Sequence, residues 1–233
     1  MDNKKAAYLA CDTAYEQGVV TLFTDDTVIV SEVMAEKMAH GKHICRAIDV
    51  VWKAALAEDL EVKGFFCGLG PGSFVGIRVA LATVLGFSFA RALPVMGFCS
   101  HEAIANSFSD EKNLVIFMKA SGDLGYLTTL SRANNIMSVT KPTEVIAISD
   151  VVNNLSPNAV LCSDQADKLA AILSVPLAPV LGPTAVGIQQ VCLHRLRQLG
   201  SFVDESASIK PNYVKAPNVS LPKRAIVIDP QAH

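Results

Sequence analysis

The residues of this chain whose types and spacing bear on chemistry lie in two places. Gly68, Gly70, Gly72, Ser73 and Gly76, with Pro71 among them, follow the apolar run 62–67 and precede a long apolar segment. A glycine-rich turn of this kind either cradles phosphate with its backbone amides or simply turns the chain sharply into a helix. The GxxxxGK[ST] arrangement, with its lysine and magnesium-bound hydroxyl, is missing, so Gly70, Gly72 and Ser73 read as a structural turn with at most a weak phosphate contact. The second place is Asp12-Thr13-Ala14, at the end of an N-terminal apolar run. Its carboxylate either meets a cation or closes its own turn by bonding to backbone, and the second role is expected.

Other reactive side chains form no constellation. None of His40, His43, His101, His194 and His233 lies in a motif with a serine or cysteine nucleophile. His40 and His43 share a helical face, but no third ligand is evident nearby, and a solvated helix start is the expectation. The cysteines Cys11, Cys45, Cys67, Cys99, Cys162 and Cys192 include no CxxC pair and read mostly as buried apolar fillers. No catalytic residue and no metal site are expected.

The elements that position these residues follow from the hydrophobic pattern. At 233 residues, 51% hydrophobic and 18% charged, the chain is long enough for one large or two small well-packed domains. A net charge of -2 gives no footprint for gripping a nucleic-acid backbone. The N-terminus MDNKKAAYLACD is neither signal peptide nor spanning helix, and a reduced cytoplasmic protein is expected. The most hydrophobic stretch, 75–98, is interrupted by Arg78, Arg91 and Pro94, which argues for a core helix and against a membrane span.

Strands are expected at 6–11, 19–24 and 28–33 as an opening meander, then at 62–67 and 95–99. Helices fall between them over 39–58, where Ile44, Ile48, Val51 and Ala55 recur at helical spacing, and from 73 or 74 to 93. A short helix over 100–107 precedes strands at 114–118, 126–131, 145–148 and 159–162 and helices over 164–173 and 184–199, a second half that repeats the first only loosely. The tail from Ser201, with Pro211, Pro217, Pro222 and Pro230, should run extended. Its Lys210, Lys215, Lys223 and Arg224 form a modest basic cluster, expected to be solvated.

The long second helix is the most telling element. Gly76, Ala80, Thr83, Gly86 and Ala90 fall on one face, which invites close approach of another helix, while Ile77, Leu81, Val84 and Ser88 feed a core. A glycine inside a helix costs about 1 kcal/mol relative to alanine, so it calls for a packing reason.

Gly70-Pro71-Gly72-Ser73-Phe74, then Gly76-Ile77-Arg78, the small-residue helix and Pro94-Val95-Met96-Gly97 together resemble the signature of the TsaB family of tRNA threonylcarbamoyladenosine biosynthesis, also known as YeaZ or glycoprotease-like proteins. Asp12-Thr13-Ala14 is similar to that family's Asp-Thr-Ser turn, Glu102-Ala103 to its Leu-Glu-Ala, and Pro211-Asn212-Tyr213-Val214 to its Pro-x-Tyr-Leu. The chain departs from the family at His40-Gly41-Lys42 and at Lys119–Leu124, where the usual acidic and basic side chains are missing.

The resemblance implies an α/β actin-like, ribonuclease-H-like fold with subdomains at 1–104 and 105–233. It also implies a noncatalytic subunit that pairs with the transferase TsaD, is joined by the ATPase TsaE and meets tRNA only indirectly. Pairing through the first two helices would engage Gly76, Ala80, Thr83, Gly86, Ala90, Ile44, Ile48 and Val51, and the same surface would support a homodimer. In nucleotide-binding relatives of this fold an Asp at the position of Asp12 holds a magnesium-bound water. Here the adenosine-loop position carries Ser163-Asp164-Gln165-Ala166, so ATP and magnesium are expected only within the complex. The alternative is a small actin-like ATPase or sugar kinase that binds nucleotide itself; a metallopeptidase is a third class.

Overall fold

The computed structural model describes residues 4–35, 40–156 and 158–214. Strands β1 (Ala6–Asp12), β2 (Gly18–Phe23) and β3 (Val28–Met34) form the opening meander. Helix α1 (His40–Ala57) leads to β4 (Glu61–Gly68), α2 (Phe74–Arg91) to β5 (Val95–Phe98), and α3 (Ser100–Ala105) follows. The sheet order is β3-β2-β1-β4-β5, with β1 antiparallel to β2 and parallel to β4, and β4 parallel to β5.

The second half opens on β6 (Asn113–Ser121), β7 (Leu124–Ala133) and β8 (Ile136–Ala147), then β9 (Val160–Ser163), α4 (Ala166–Leu173), β10 (Ala178–Pro179) and α5 (Ala185–Leu199). Its order is β10-β9-β6-β7-β8, with the meander antiparallel and the β6, β9 and β10 pairings parallel. Strand for strand this reproduces the first sheet, so the halves repeat far more closely than the sequence suggests. The hidden part is β8, expected only over 145–148. Thr140, Lys141, Pro142, Thr143 and Glu144 fill its middle, as an edge strand allows, and its hairpin turns on Asn134 and Asn135, both at positive φ (50° and 62°), which asparagine tolerates.

One core lies between the first sheet and α1 and α2, with Leu9, Leu22, Ile44, Ile48, Val51, Ala80 and Val84 at its centre. On the opposite face of that sheet, α5 places Ile188, Val191, Cys192 and Leu193 against Phe23, Phe66 and Met96. Although α5 follows the second sheet in sequence, its apolar stripe is spent on the first. From there residues 202–213 strap the edge strand β5. The Phe202 ring lies 5.0 Å from Phe66, Glu205 N–H donates to the Val95 carbonyl, and Gly97 N–H donates to Glu205 Oε2 at 2.8 Å. The tail residues Lys215, Pro217, Pro222, Lys223, Arg224 and Pro230, with His233, lie outside the described residues.

Candidate functional site

The glycine turn and the β1–β2 loop interlock. Asp12, fully buried, accepts the Ala14 N–H on Oδ1 at 2.8 Å, closing its own turn. Thr13 Oγ1 donates to the Gly76 carbonyl, Ser73 N–H to the Ala14 carbonyl, and the Tyr15 hydroxyl to the Pro71 carbonyl, each at 2.7 Å. Gly70 N–H donates to Ser100 Oγ at 3.0 Å, and Gly76 N–H to Ser73 Oγ, the N-cap of α2, at 3.2 Å. Of the expected phosphate contacts Gly70, Gly72 and Ser73, the amides of Gly70 and Ser73 are thus spent inside the chain, as is that of Gly76. Gly70 sits at φ 86°, the left-handed region that favours glycine. At Gly76 a Cβ would collide with the Thr13 carbonyl oxygen, and this close approach is the packing reason for a glycine in the first turn of α2.

Between the two sheets the chain fills its own cleft. Ala14 and Tyr15, both buried, join Ile77 of α2 and Ile104 of α3 in one cluster with Leu114, Ile116 and Val180 of the second half. Gln17 N–H donates to the Leu181 carbonyl at 2.9 Å, tying the same loop to the far side. The His101 ring, 6.1 Å from that of Tyr15, places Nδ1 2.5 Å from Thr128 Oγ1, itself 2.7 Å from Thr143 Oγ1. Nε2 of His101 is buried without a hydrogen-bond partner, and burial pulls the imidazole pKa down to about 3, so the ring stays neutral.

Burial likewise pushes the Cys99 thiol up to about 12 and that of Cys162 to about 12, leaving both protonated and unreactive at neutral pH. Among the described residues no group of three His, Cys, Asp or Glu side chains is placed to hold a metal. At the adenosine-loop position Asp164 Oδ1 accepts from Lys119 N–H at 3.4 Å. A cavity of about 360 Å³ lies between β5, α3, the start of β8, α5 and the strap, with Glu102, His194, Arg195 and Asn212 in its walls. Gly70 lines it, whereas Asp12, Thr13, Gly72 and Ser73 do not.

The expected partner face is rearranged. Ile44, Ile48 and Val51 are buried in the core under α1, whose outer face carries Lys42, Arg46, Asp49 and Lys53. Gly76 faces the Thr13 loop and Ala80 the first sheet, so these five residues are used up within the chain and cannot present a docking surface. A row of small residues spaced three and four apart drifts around a helix, and this row begins inside and ends outside. Thr83 is half-buried, with its hydroxyl donated to the Val79 carbonyl at 2.7 Å, while Gly86 and Ala90 are exposed.

The outward stripe of α2 is instead Val75, Arg78, Ala82, Gly86 and Phe89, with Val75 65% and Phe89 92% exposed. Sequence reasoning passed over Val75 and Phe89 because the whole helix is apolar. The seven-residue spacing of Val75, Ala82 and Phe89 was the available signal. By length and composition Phe74–Arg91 would also suffice to cross a membrane, but its inner face is built into the core of the first sheet.

The two ends of the signature meet at the start of this helix. Asn212 N–H donates to the Leu69 carbonyl at 2.8 Å, the Tyr213 ring lies 4.8 Å from Phe74, and Arg78 Nε donates to the Tyr213 hydroxyl at 2.7 Å. Pro211-Asn212-Tyr213 is thus the clasp of the strap on the glycine turn and α2. Glu102 makes the corresponding tie between halves, accepting the Val139 N–H of β8 on Oε1 at 3.1 Å.

Comparison with known proteins agrees with this geometry. The family model for TsaD, tRNA N6-adenosine threonylcarbamoyltransferase, matches residues 29–181. An uncharacterised protein of Mycobacterium leprae is 26% identical over 186 residues, 77% of this chain but 48% of that protein, so the chain spans about half the length of that relative. The tRNA threonylcarbamoyladenosine biosynthesis protein TsaB of Haemophilus influenzae is 31% identical over 100 residues, 42% of each chain. The structure of YeaZ from Pseudomonas aeruginosa superposes with a TM-score of 0.74 at 18% identity, over 89% of this chain and 99% of that one. The fold is therefore the actin-like α/β fold of two subdomains. With the family model matching well over half of its length, the chain belongs to the family that this model describes, TsaD, and within it is similar to the TsaB and YeaZ proteins.

Proposed function

We propose that this chain is a noncatalytic partner subunit in the threonylcarbamoylation of tRNA adenosine, pairing with TsaD in the cytoplasm through the outer face of α2. The observation that carries the reading is the contrast between a cleft filled by the chain's own Ala14 and Tyr15 and a helix face left open at Val75, Ala82, Gly86 and Phe89. Exposed aromatic and aliphatic side chains on a rigid helix are the usual anchors of a protein interface, and Gly86 lets a second helix approach closely. TsaE is read as the further member of the assembly, with ATP and magnesium held within the complex and not by this chain alone. Without a partner the same face supports a homodimer.

The test is size-exclusion chromatography with the TsaD of the same organism. The wild-type chain is expected to co-elute, whereas Phe89→Asp and Gly86→Leu are expected to elute apart from TsaD while remaining folded, Gly86→Leu with a melting temperature at or above that of the wild type. Co-elution of both variants would move the interface elsewhere. Micromolar ATP binding by the isolated chain, lost in Asp12→Asn, would replace the scaffold reading with the ATPase one.

A further inference from the structure

We propose that Arg78 is the specificity-determining contact of the α2 face, taking a carboxylate from the partner, and that Tyr213 of the C-terminal strap is its positioning residue. The inference rests on the outer face of α2 being the docking face. Arg78 stands in the middle of the apolar stripe, one turn from Val75 and one turn from Ala82, so no partner helix can cover those two without covering Arg78 as well. A guanidinium removed from water without a counter-charge is strongly unfavourable, which means the occupant must supply one at this point.

The side chain is prepared for that. Its guanidinium carbon lies 3.8 Å from the centroid of the Phe74 ring and 5.6 Å from that of Tyr213, and Nε is tied to the Tyr213 hydroxyl at 2.7 Å. Arg78 makes no ion pair among the described residues, and no hydrogen bond within them occupies its two terminal nitrogens. Those nitrogens form the fork that suits a carboxylate. α2 itself carries no acidic residue, and its only other cation, Arg91, is engaged over the Trp52 ring at 4.5 Å.

A protein carboxylate is favoured over an RNA phosphate. Val75, Ala82, Gly86 and Phe89 around Arg78 are uncharged, whereas a phosphate backbone is gripped by several cations together. Partner binding at α2 is thereby coupled to the strap, because the segment that clasps β5 also sets the guanidinium.

The experiment measures affinity for the same organism's TsaD by calorimetry for Arg78→Ala, Arg78→Lys, Tyr213→Phe and Phe89→Asp, with melting temperatures recorded for each. Phe89→Asp, the control for the face, is expected to abolish binding. Arg78→Ala is expected to weaken it ~100-fold. Arg78→Lys, which keeps the charge but loses the fork, should recover only part of that, and Tyr213→Phe should cost ~5-fold with an unchanged melting temperature. If Phe89→Asp abolishes binding while Arg78→Ala binds like wild type, the role of Arg78 is overturned and the docking face stands. If neither variant affects binding, the docking face itself is wrong. If Arg78→Ala leaves TsaD affinity intact but removes binding of labelled tRNA by the isolated chain, the ligand is a phosphate and the proposal fails.

Discussion

Two glycines ten residues apart on α2 do opposite jobs, and only their surroundings distinguish them. Gly76 admits the Thr13 carbonyl to the helix backbone, so Gly76→Ala should destabilise the fold by about 3 kcal/mol or more, because backbone on both sides must move. Gly86 has open space where a Cβ would stand, and Gly86→Ala should stabilise the isolated chain by about 0.5–1 kcal/mol through helix propensity alone. Urea denaturation of the two variants checks both signs at once. His101 makes a third prediction at this scale. Its folded pKa, about 3, lies below the ordinary 6.5, so the unfolded chain binds the extra proton between those values, and stability falls as pH falls through that window. The loss should approach about 1.4 kcal/mol per pH unit. In His101→Gln the slope of melting temperature against pH from 6.5 to 4 should flatten. Asp204 does not interfere there: accepting backbone N–H groups of Val95 and Ser206 lowers its pKa below 3.8, so its contribution is present above that value and is lost only under more acid conditions.

At the scale of elements, what the sequence conveyed depended on whether an element answers to its neighbours in sequence or to distant ones. α1 and α2 were legible to within a residue or two, because Ile44, Ile48 and Val51 mark one period and Ser73 caps the other helix. β8 was largely illegible, because an edge strand does not need the apolar alternation that announces a strand. The glycine turn was legible as a turn, yet that its amides are spent on Ala14 and Ser100 is a long-range fact no local pattern carries. The strap was legible only as an extended tail. In the fold Phe202 lies against Gly64, where a Cβ would meet its ring, and stacks on Tyr8 with centroids 5.9 Å apart. Phe202→Ala should therefore cost about 2–3 kcal/mol, somewhat less than a fully buried phenylalanine, and should loosen the segment through Tyr213. Hydrogen exchange would register this as faster exchange at the amides of Gly97 and Asn212, which the strap otherwise protects.

Across the whole molecule, two halves of equivalent topology are joined into one body. Each half holds five strands in the same order, an antiparallel meander continued by two parallel strands. Tyr15 sits where the halves meet, held by Pro71 and His101 of the first half and clustered with Leu114, Ile116 and Val180 of the second, while α5 leaves the second half to cover the first sheet. A molecule joined this way should unfold in a single step, and the sole tryptophan allows a direct check. Trp52 lies in the first half, stacked 6.1 Å from Phe65, so its fluorescence reports that half alone, whereas far-ultraviolet circular dichroism reports both. In the wild type the two urea transitions should coincide. Tyr15→Ala removes the central filler and should cost about 3–5 kcal/mol. Because Tyr15 belongs to the cluster that joins the halves, with Leu114, Ile116 and Val180 on the far side, the fluorescence and dichroism midpoints should separate in that variant. Coincident transitions at a merely lowered midpoint would instead mean that α5 and the strap alone suffice to couple the two halves.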